Sequence, residues 1–353
     1  VNIGIVGGGI NGLCCAWQLA KQGHQVQLYE RGTLMNATSC ASSKLLHGGL
    51  RYLENREFRL VREALRERDS WIKRVPHLAK PLRLVMPIYR QSRRPAWMIA
   101  LGLFLYDHLA GKSLLPGARR LSAQELIRRD QNLKTEGLQG GYEFSDGQMD
   151  DHALGLWVAV QAEQAGVSIA ENTEIAILTT DGHVTTTSGR THHHDRLINV
   201  GGPWAQRLLQ QSELESPYEL DLVRGSHLII EHPCTQAYLL ETPNDRRVFF
   251  ILPWKGNTLV GTTEVRQALN EPIECSPEEK RYLLNAWSHY FPDTRPSVIS
   301  TFAGLRPLLR SAQDPSKVTR EYAIHRTDNL ITVLGGKWTT ALALADKVTT
   351  AIH

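Results

Sequence analysis

The chain has 353 residues, 42% hydrophobic, 22% charged and 7% aromatic, an ordinary globular composition with room for two lobes. Forty Lys plus Arg against 36 Asp plus Glu give a net charge of +4, a mild bias that suits an anionic substrate or an anionic surface. So few aromatics offer no stacking platform for nucleic acid, and the longest apolar run, Pro95 to Tyr106, is too short to span a bilayer.

Residues 3–6 (IGIV) read as a buried parallel strand, followed by a glycine-rich turn and a helix over 10–22 that Gly23 ends. Residues 25–30 (QVQLYE) form the next strand, which completes a βαβ unit. With a strand from its first residues, the chain is expected to carry no signal segment, and its scattered Cys14, Cys15, Cys40, Cys234 and Cys275 fit a reducing compartment. Residues 55–73 carry a charge-rich helical pattern. In the apolar run after Arg93 and Arg94, and before Lys112, two readings compete: a helix in a membrane interface, or one packed on the protein's own core. The run is apolar on most faces, which favours the core.

Ser122 and Glu125 form a capping box for a helix over 121–130, and 150–165 is amphipathic. Strand-like runs at 167–171, 174–179, 183–187 and 196–200 suggest a meander returning to a parallel strand. His192, His193 and His194 are adjacent, so they do not converge on a metal and read as a hairpin loop. No spacing in the chain supports a metal site. Strands dominate 219–265, a helix covers 277–290, and a strand at 330–334 leads through two glycines into a helix over 338–352.

Gly7, Gly9 and Gly12 have G-x-G-x-x-G spacing between strand and helix. The first makes the turn, the second admits a pyrophosphate, and the third packs helix on sheet, with the helix N-terminus (Ile10, Asn11) offering N–H groups to phosphate. Glu30, with Arg31 beside it, ends the second strand and is placed to accept from both ribose hydroxyls, which disfavours a 2′-phosphate. The turn alone leaves FAD and NAD open.

Further segments decide. SSKLLHGGLRYLENREFRLVREAL (42–65), RPAWMIALGLFLYDHLAGKSLLPG (94–117), YEFSDGQMDD (142–151), PYELDLVRGSHLII (217–230), ILPWKGNTLVGTTEV (251–265), GLRPLL (304–309), TREYAI (319–324) and LGGKWTT (334–340) span nearly the whole chain. Together they resemble the flavin-dependent glycerol-3-phosphate dehydrogenases of the aerobic respiratory type. The resemblance implies an α/β fold: a doubly wound, Rossmann-like FAD-binding domain with an interleaved mixed α+β substrate domain. The FAD domain is expected from residues 1–75, 147–215 and 326–353, and the substrate domain from 76–146 and 216–325.

By motif match, Ser42, Ser43, Lys44 and Leu46 are expected to line the flavin, and Gly201 and Gly202 to pass near it. Gly335, Gly336, Lys337, Trp338 and Thr339 are expected to bring a second helix N-terminus to its pyrimidine end, where a helix dipole stabilises reduced flavin. Ile175 is expected at the adenine. His47, Arg51, Tyr52, Arg306, Arg320 and Lys337 are expected at the substrate. Arg51 and Arg306 would clamp a phosphate dianion, the latter as a charge buried among apolar neighbours. If the segment around HGGLRY is helical, His47 and Arg51 share a face, and its glycines allow close approach to a ligand. The implied reaction moves hydride from C2 of sn-glycerol 3-phosphate to flavin N5, with His47 as base and Arg320 and Lys337 polarising the oxygen.

Against the family's pattern, the chain is expected to lack the C-terminal helical domain that usually follows LGGKWTT, and GGPW stands where Thr-Gly is usual. The resemblance further implies a quinone or other acceptor, a cytoplasmic location with peripheral contact to the inner membrane, and a homodimer as one assembly. The competing readings are an oxidase of amines or 2-hydroxy acids, which needs no phosphate clamp, and a non-catalytic flavin-binding subunit.

Overall fold

A computed structural model of the chain describes residues 1–310 and 322–352. Its helices are α1 (Ile10–Lys21), α2 (Phe58–Arg74), α3 (Ala96–Ala110), α4 (Ala123–Arg129), α5 (Asp151–Gln164), α6 (Ala205–Gln211), α7 (Pro277–Tyr290) and α8 (Ala341–Ile352).

The first layer is a six-stranded sheet with strands in the order 322–327, 330–335, 196–199, 2–6, 25–29 and 168–170. All neighbours run parallel except the edge strand Tyr322–Thr327. The strands are short and apolar because both faces are covered. On one face Ile3, Ile5 and Ile331 share a core with Leu13 of α1, Val158 of α5 and Leu344 of α8. Gly12 permits that approach, since a Cβ there would stand 1.9 Å from the Gly7 carbonyl oxygen. A meander of strands 175–178, 183–186 and 191–193 lies beyond the other face, with α6 beside it.

The second layer is a larger mixed sheet built around the long strands Ala79–Tyr89, Leu138–Met149 and Glu219–Ile230. Strand Val298–Arg310 pairs antiparallel along Glu219–Ile230. Period-two alternation serves both faces. Leu228 and Ile230 meet Leu283 and Trp287 of α7, while Ile229 turns to the side that holds Leu65 of α2 and Tyr106 of α3.

The structure departs from sequence expectation at several places. The edge strand Tyr322–Thr327 belongs to the first sheet, so the return to that layer comes before residue 326, and the pair Leu45–Leu46 joins the second sheet. Thr191–His193 is the last strand of the meander rather than a loop. His194 is buried, its ring nitrogens hydrogen-bonded to Tyr29 Oη at 2.9 Å and Asn2 Oδ1 at 3.0 Å. Among the described residues no cluster could hold a metal ion. The last helix starts at Ala341, because residues 338–340 form a turn. Most conspicuously, α3 buries Leu103 and Tyr106, while Trp97 and Phe104 remain 65% and 66% exposed. The core-packing expectation therefore holds for one side of α3 only. No helix among the described residues is long and apolar enough to cross a membrane.

Candidate active site

A cavity of about 1250 Å³ runs between the two layers. One end is walled by the glycine turn. Gly7 has φ +120°, and a Cβ at Gly9 would lie 2.9 Å from Ser39 Oγ. The N-cap residue of α1 is Gly9, which offers no side-chain cap, and its first turn carries no acidic residue; Ser39 Oγ takes only the Ile10 N–H at 3.0 Å, so the positive end still suits an anion. Glu30 closes this end, accepting from Gly8 N at 2.7 Å and Gly32 N at 2.9 Å. A carboxylate has about four acceptor sites, so capacity for two hydroxyls remains. Arg31 stacks on the Trp204 ring, 3.8 Å from its centroid, and Ile175 lines the same end. Gly201 and Gly202 follow on the neighbouring strand end.

An adjoining wall is Gly335, Gly336, Lys337, Trp338 and Thr339. Gly336 has φ +99°, and a Cβ there would meet Asn11 Nδ2 at 2.5 Å. Trp338 donates its indole N–H to Ser39 O at 3.0 Å, and Thr339 Oγ1 accepts from His47 N at 3.3 Å. Asn11 Oδ1 and Thr340 Oγ1 are buried without a partner and belong to residues lining the cavity. Orphaned polar atoms of this kind fit a polar group that the protein alone does not supply.

The SSKLLHGG segment divides. Ser42, Ser43 and His47 line the cavity; Lys44 and Leu46 do not. Lys44 adopts φ +61° and turns inward, pairing with Asp151 at the start of α5 at 2.7 Å and donating to Cys40 O at 2.6 Å. Leu46 is wholly buried in the core under the first sheet. His47 and Arg51 share no helical face, because Gly49 at φ +74° separates them and Leu50–Leu53 is one short 3₁₀ turn. Both still reach the cavity. The two glycines serve packing: a Cβ on Gly48 would strike Leu65 at 2.5 Å, and one on Gly49 would strike the Tyr52 ring at 2.2 Å. Beneath them Tyr106 Oη accepts from Gly48 N at 2.7 Å and donates to Asp146 at 2.7 Å, which also accepts from Arg68 at 3.1 Å.

Burial, with the charge of Lys337 second, holds the His47 pKa down at about 4. Lys337 Nζ sits 3.6 Å over the Tyr52 ring. Arg306 donates to Thr263 O at 2.9 Å and stands 3.7 Å from Glu264, while its Nε is buried and unpartnered. Its pKa is lowered by burial, raised by Glu264 and Tyr52, and lowered again by Arg51, so these groups share one field. Arg306 is not enclosed by its apolar neighbours. Leu305 and Leu309 occupy the opposite face of the strand, which leaves the guanidinium to the cavity. Arg320 lies outside the described residues.

Sequence reading passed over His227. Its ring stacks on Phe302 at 4.7 Å, it lines the cavity, and Nε2 is hydrogen-bonded to Ser43 Oγ at 2.9 Å. Burial, then the charges of Lys44 and Arg306, lower its pKa to about 3. The only local signal was a histidine in a strand-like stretch.

A doubly wound sheet with a glycine turn, joined to a mixed-sheet lobe across a cavity that carries a cluster of cations, defines a two-layer oxidoreductase with a dinucleotide site. Residues 2–351 match the family described as FAD dependent oxidoreductase, and the chain belongs to that family. FAD is accordingly its cofactor. The chain is 38% identical to a glycerol-3-phosphate dehydrogenase of Pseudomonas aeruginosa over all of its own length and 71% of that protein's. It is 37% identical to D-erythritol 1-phosphate dehydrogenase of Brucella abortus, covering 97% of this chain and 72% of the relative. Its fold is similar to the Bacillus halodurans glycerol-3-phosphate dehydrogenase complexed with FAD, at TM-score 0.79 and 24% identity. That comparison covers 100% of this chain and 64% of the other.

Proposed function

We propose that the chain oxidises sn-glycerol 3-phosphate to dihydroxyacetone phosphate and passes the electrons to a quinone. The observation that carries this reading is the cationic group Arg51, Arg306 and Lys337 around one end of a cavity whose other walls suit a dinucleotide. A phosphate dianion answers three positive charges, one of them with an unpartnered N–H, better than the single carboxylate of a 2-hydroxy acid or amino acid.

Gly7, Gly9, Asn11 and the open end of α1 would hold the FAD pyrophosphate, Glu30 the ribose, and Gly335 to Thr339 with Ser43 the ring. When bound, FAD supplies the acceptor for the hydrogen that leaves C2 as hydride. Arg306 and Arg51 fix the phosphate and so orient C2. His47, neutral above pH 4, takes the hydroxyl proton, and Lys337 stabilises the oxygen as that proton departs. The family likeness and the apolar α3 face favour a lipid-soluble acceptor. A longer alditol phosphate is the second reading, favoured by the Brucella abortus relative.

The test is product analysis. FAD-loaded protein mixed anaerobically with excess sn-glycerol 3-phosphate is expected to form one dihydroxyacetone phosphate per flavin reduced. Flavin reduction with no such product would refute the substrate assignment.

A further inference from the structure

The polar contacts between α2 and α8 form a row. Glu63 pairs with Lys347 at 2.8 Å, Glu67 meets the Ala343 N–H, and the Trp71 indole donates to Thr339 O at 3.2 Å. Each contact steps four residues, about one helical turn, forward along α2 and backward along α8 into the turn before it. The row ends at the cavity wall, which Thr339 and Thr340 line.

Glu67 stands apart in this row. Helix α8 has no acidic residue in its own first turn, and Ala343 is its third residue. The Glu67 carboxylate therefore answers the positive end of α8 from outside the cavity, while Thr340 fronts the cavity from inside. Glu67 Oε2 is buried without a partner. Burial raises its pKa to about 7; the Ala343 N–H opposes that, Asp346 of α8 and Glu63 add to it, and Arg74 opposes it again. Cys14 of α1 also faces Glu67, as a thiol that burial keeps neutral, and Lys347 is held by Glu63 and Tyr322. Of the histidines that wall the cavity, His47 and His227 titrate at about 4 and 3, and burial holds His289 below 6.5. Glu67 thus changes charge at neutral pH, where His47 and His227 do not.

We propose that Glu67 is a positioning residue for the electron chemistry: acting through the N-terminus of α8, it binds a proton from water when FAD is reduced and releases it on reoxidation. Two electrons and one proton entering the flavin leave one added negative charge in the cavity. An ionised Glu67 repels that charge and competes with it for the positive end of α8, and a neutral Glu67 does neither. The coupling is reciprocal: the factor by which a charged Glu67 disfavours reduction is the factor by which reduction raises its proton affinity. The inference needs only bound FAD, so it stands or falls apart from the substrate assignment.

The test is the reduction potential of the bound FAD between about pH 5.5 and 9, by slow reduction against a reference dye with no substrate present. The potential of the wild type is expected to fall more steeply through about pH 7–8 than that of Glu67→Gln. Above this window the variant is expected to be about tenfold easier to reduce, about 30 mV for a two-electron couple, and below it equal. Glu67→Gln is also expected to melt higher than wild type at pH 8. Folding raises the Glu67 pKa from 4.5, so the chain loses stability as pH climbs from there to about 7, and glutamine avoids that loss. The reverse order of melting would mark a cap kept for stability and overturn the proposal. Asp346→Asn removes a charge that raises the Glu67 pKa, and is expected to move the steep window to lower pH, an independent check should Glu67→Gln not retain FAD. Parallel potential–pH lines for wild type and Glu67→Gln would overturn the proposal, as would a steep window that Asp346→Asn leaves in place.

Discussion

Lys337 rests on the face of Tyr52, Nζ 3.6 Å from the ring centroid, and so joins the two ends of the chain over the cationic end of the cavity. The contact ties the residue after the Gly335–Gly336 turn to the 3₁₀ turn that carries Arg51. A cation over an aromatic face is worth about 1–2 kcal/mol when partly desolvated. Tyr52→Leu is therefore expected to raise KM about tenfold with little loss of bound flavin, whereas Tyr52→Phe, which keeps the ring, is expected to stay within about twofold. Steady-state kinetics on the two variants decides. Equal effects would mean that the hydroxyl matters and the cation–ring contact does not.

Arg306 is the predicted phosphate anchor. Arg306→Ala is expected to raise KM about 30- to 100-fold, the loss of a charge-assisted pair, while the flavin spectrum and FAD content stay normal. Arg306→Lys is expected to recover only part, since an ammonium cannot reproduce the planar fork. Parallel loss of FAD and activity in Arg306→Ala would place this side chain in cofactor binding instead.

As a base, His47 must be neutral. Its pKa of about 4 keeps it so through neutral pH, and activity is expected to fall only as pH drops through about 4 rather than through 6.5. His47→Gln is expected to slow anaerobic flavin reduction by about 10²–10³ and to abolish that acid limb. A limb that persists in His47→Gln would belong to another group.

The two depressed histidines also predict a stability profile. His47 and His227 have folded pKa values of about 4 and 3, against 6.5 when exposed. Between those limits the unfolded chain binds more protons, so stability is full above pH 6.5 and lost on acidification, by about 1.4 kcal/mol per pH unit for each group. The melting temperature is expected to fall more gently below pH 6.5 in His227→Gln than in wild type. Parallel slopes would show that His227 is not buried neutral.

The Lys44–Asp151 pair tests the inner support of the site. Removing one partner strands a buried charge, and Asp151→Asn is expected to cost about 3 kcal/mol in denaturant unfolding. It also leaves a single acceptor oxygen for the donors of Ser42, Lys44 and His152, so a loosened Ser42 and weaker FAD retention are expected alongside.

What the sequence disclosed follows the range of the forces involved. The glycine turn with Glu30, the Ser122–Glu125 box and the whole of α7 depend on residues a few positions apart, and local patterning shows them. Lys44 was misread because its direction depends on a positive φ and on Asp151, 107 residues away. His227 was missed because its meaning comes from Ser43 across 184 residues. The outer face of α3 was misjudged because period and composition cannot say which apolar face a neighbour covers. Arg51 and Arg306 line the cavity, but the strand's alternation rather than enclosure among apolar neighbours brings Arg306 there.

The central claim is that the cationic end of the cavity selects a phosphate ester for oxidation. Anaerobic mixing of the FAD-loaded chain with sn-glycerol 3-phosphate, D-erythritol 1-phosphate, glycerol, lactate and glycine, following flavin absorbance, tests it most directly. The account predicts bleaching by the phosphate esters and by no other compound. Bleaching by lactate or glycine, or by none of the five, would contradict it.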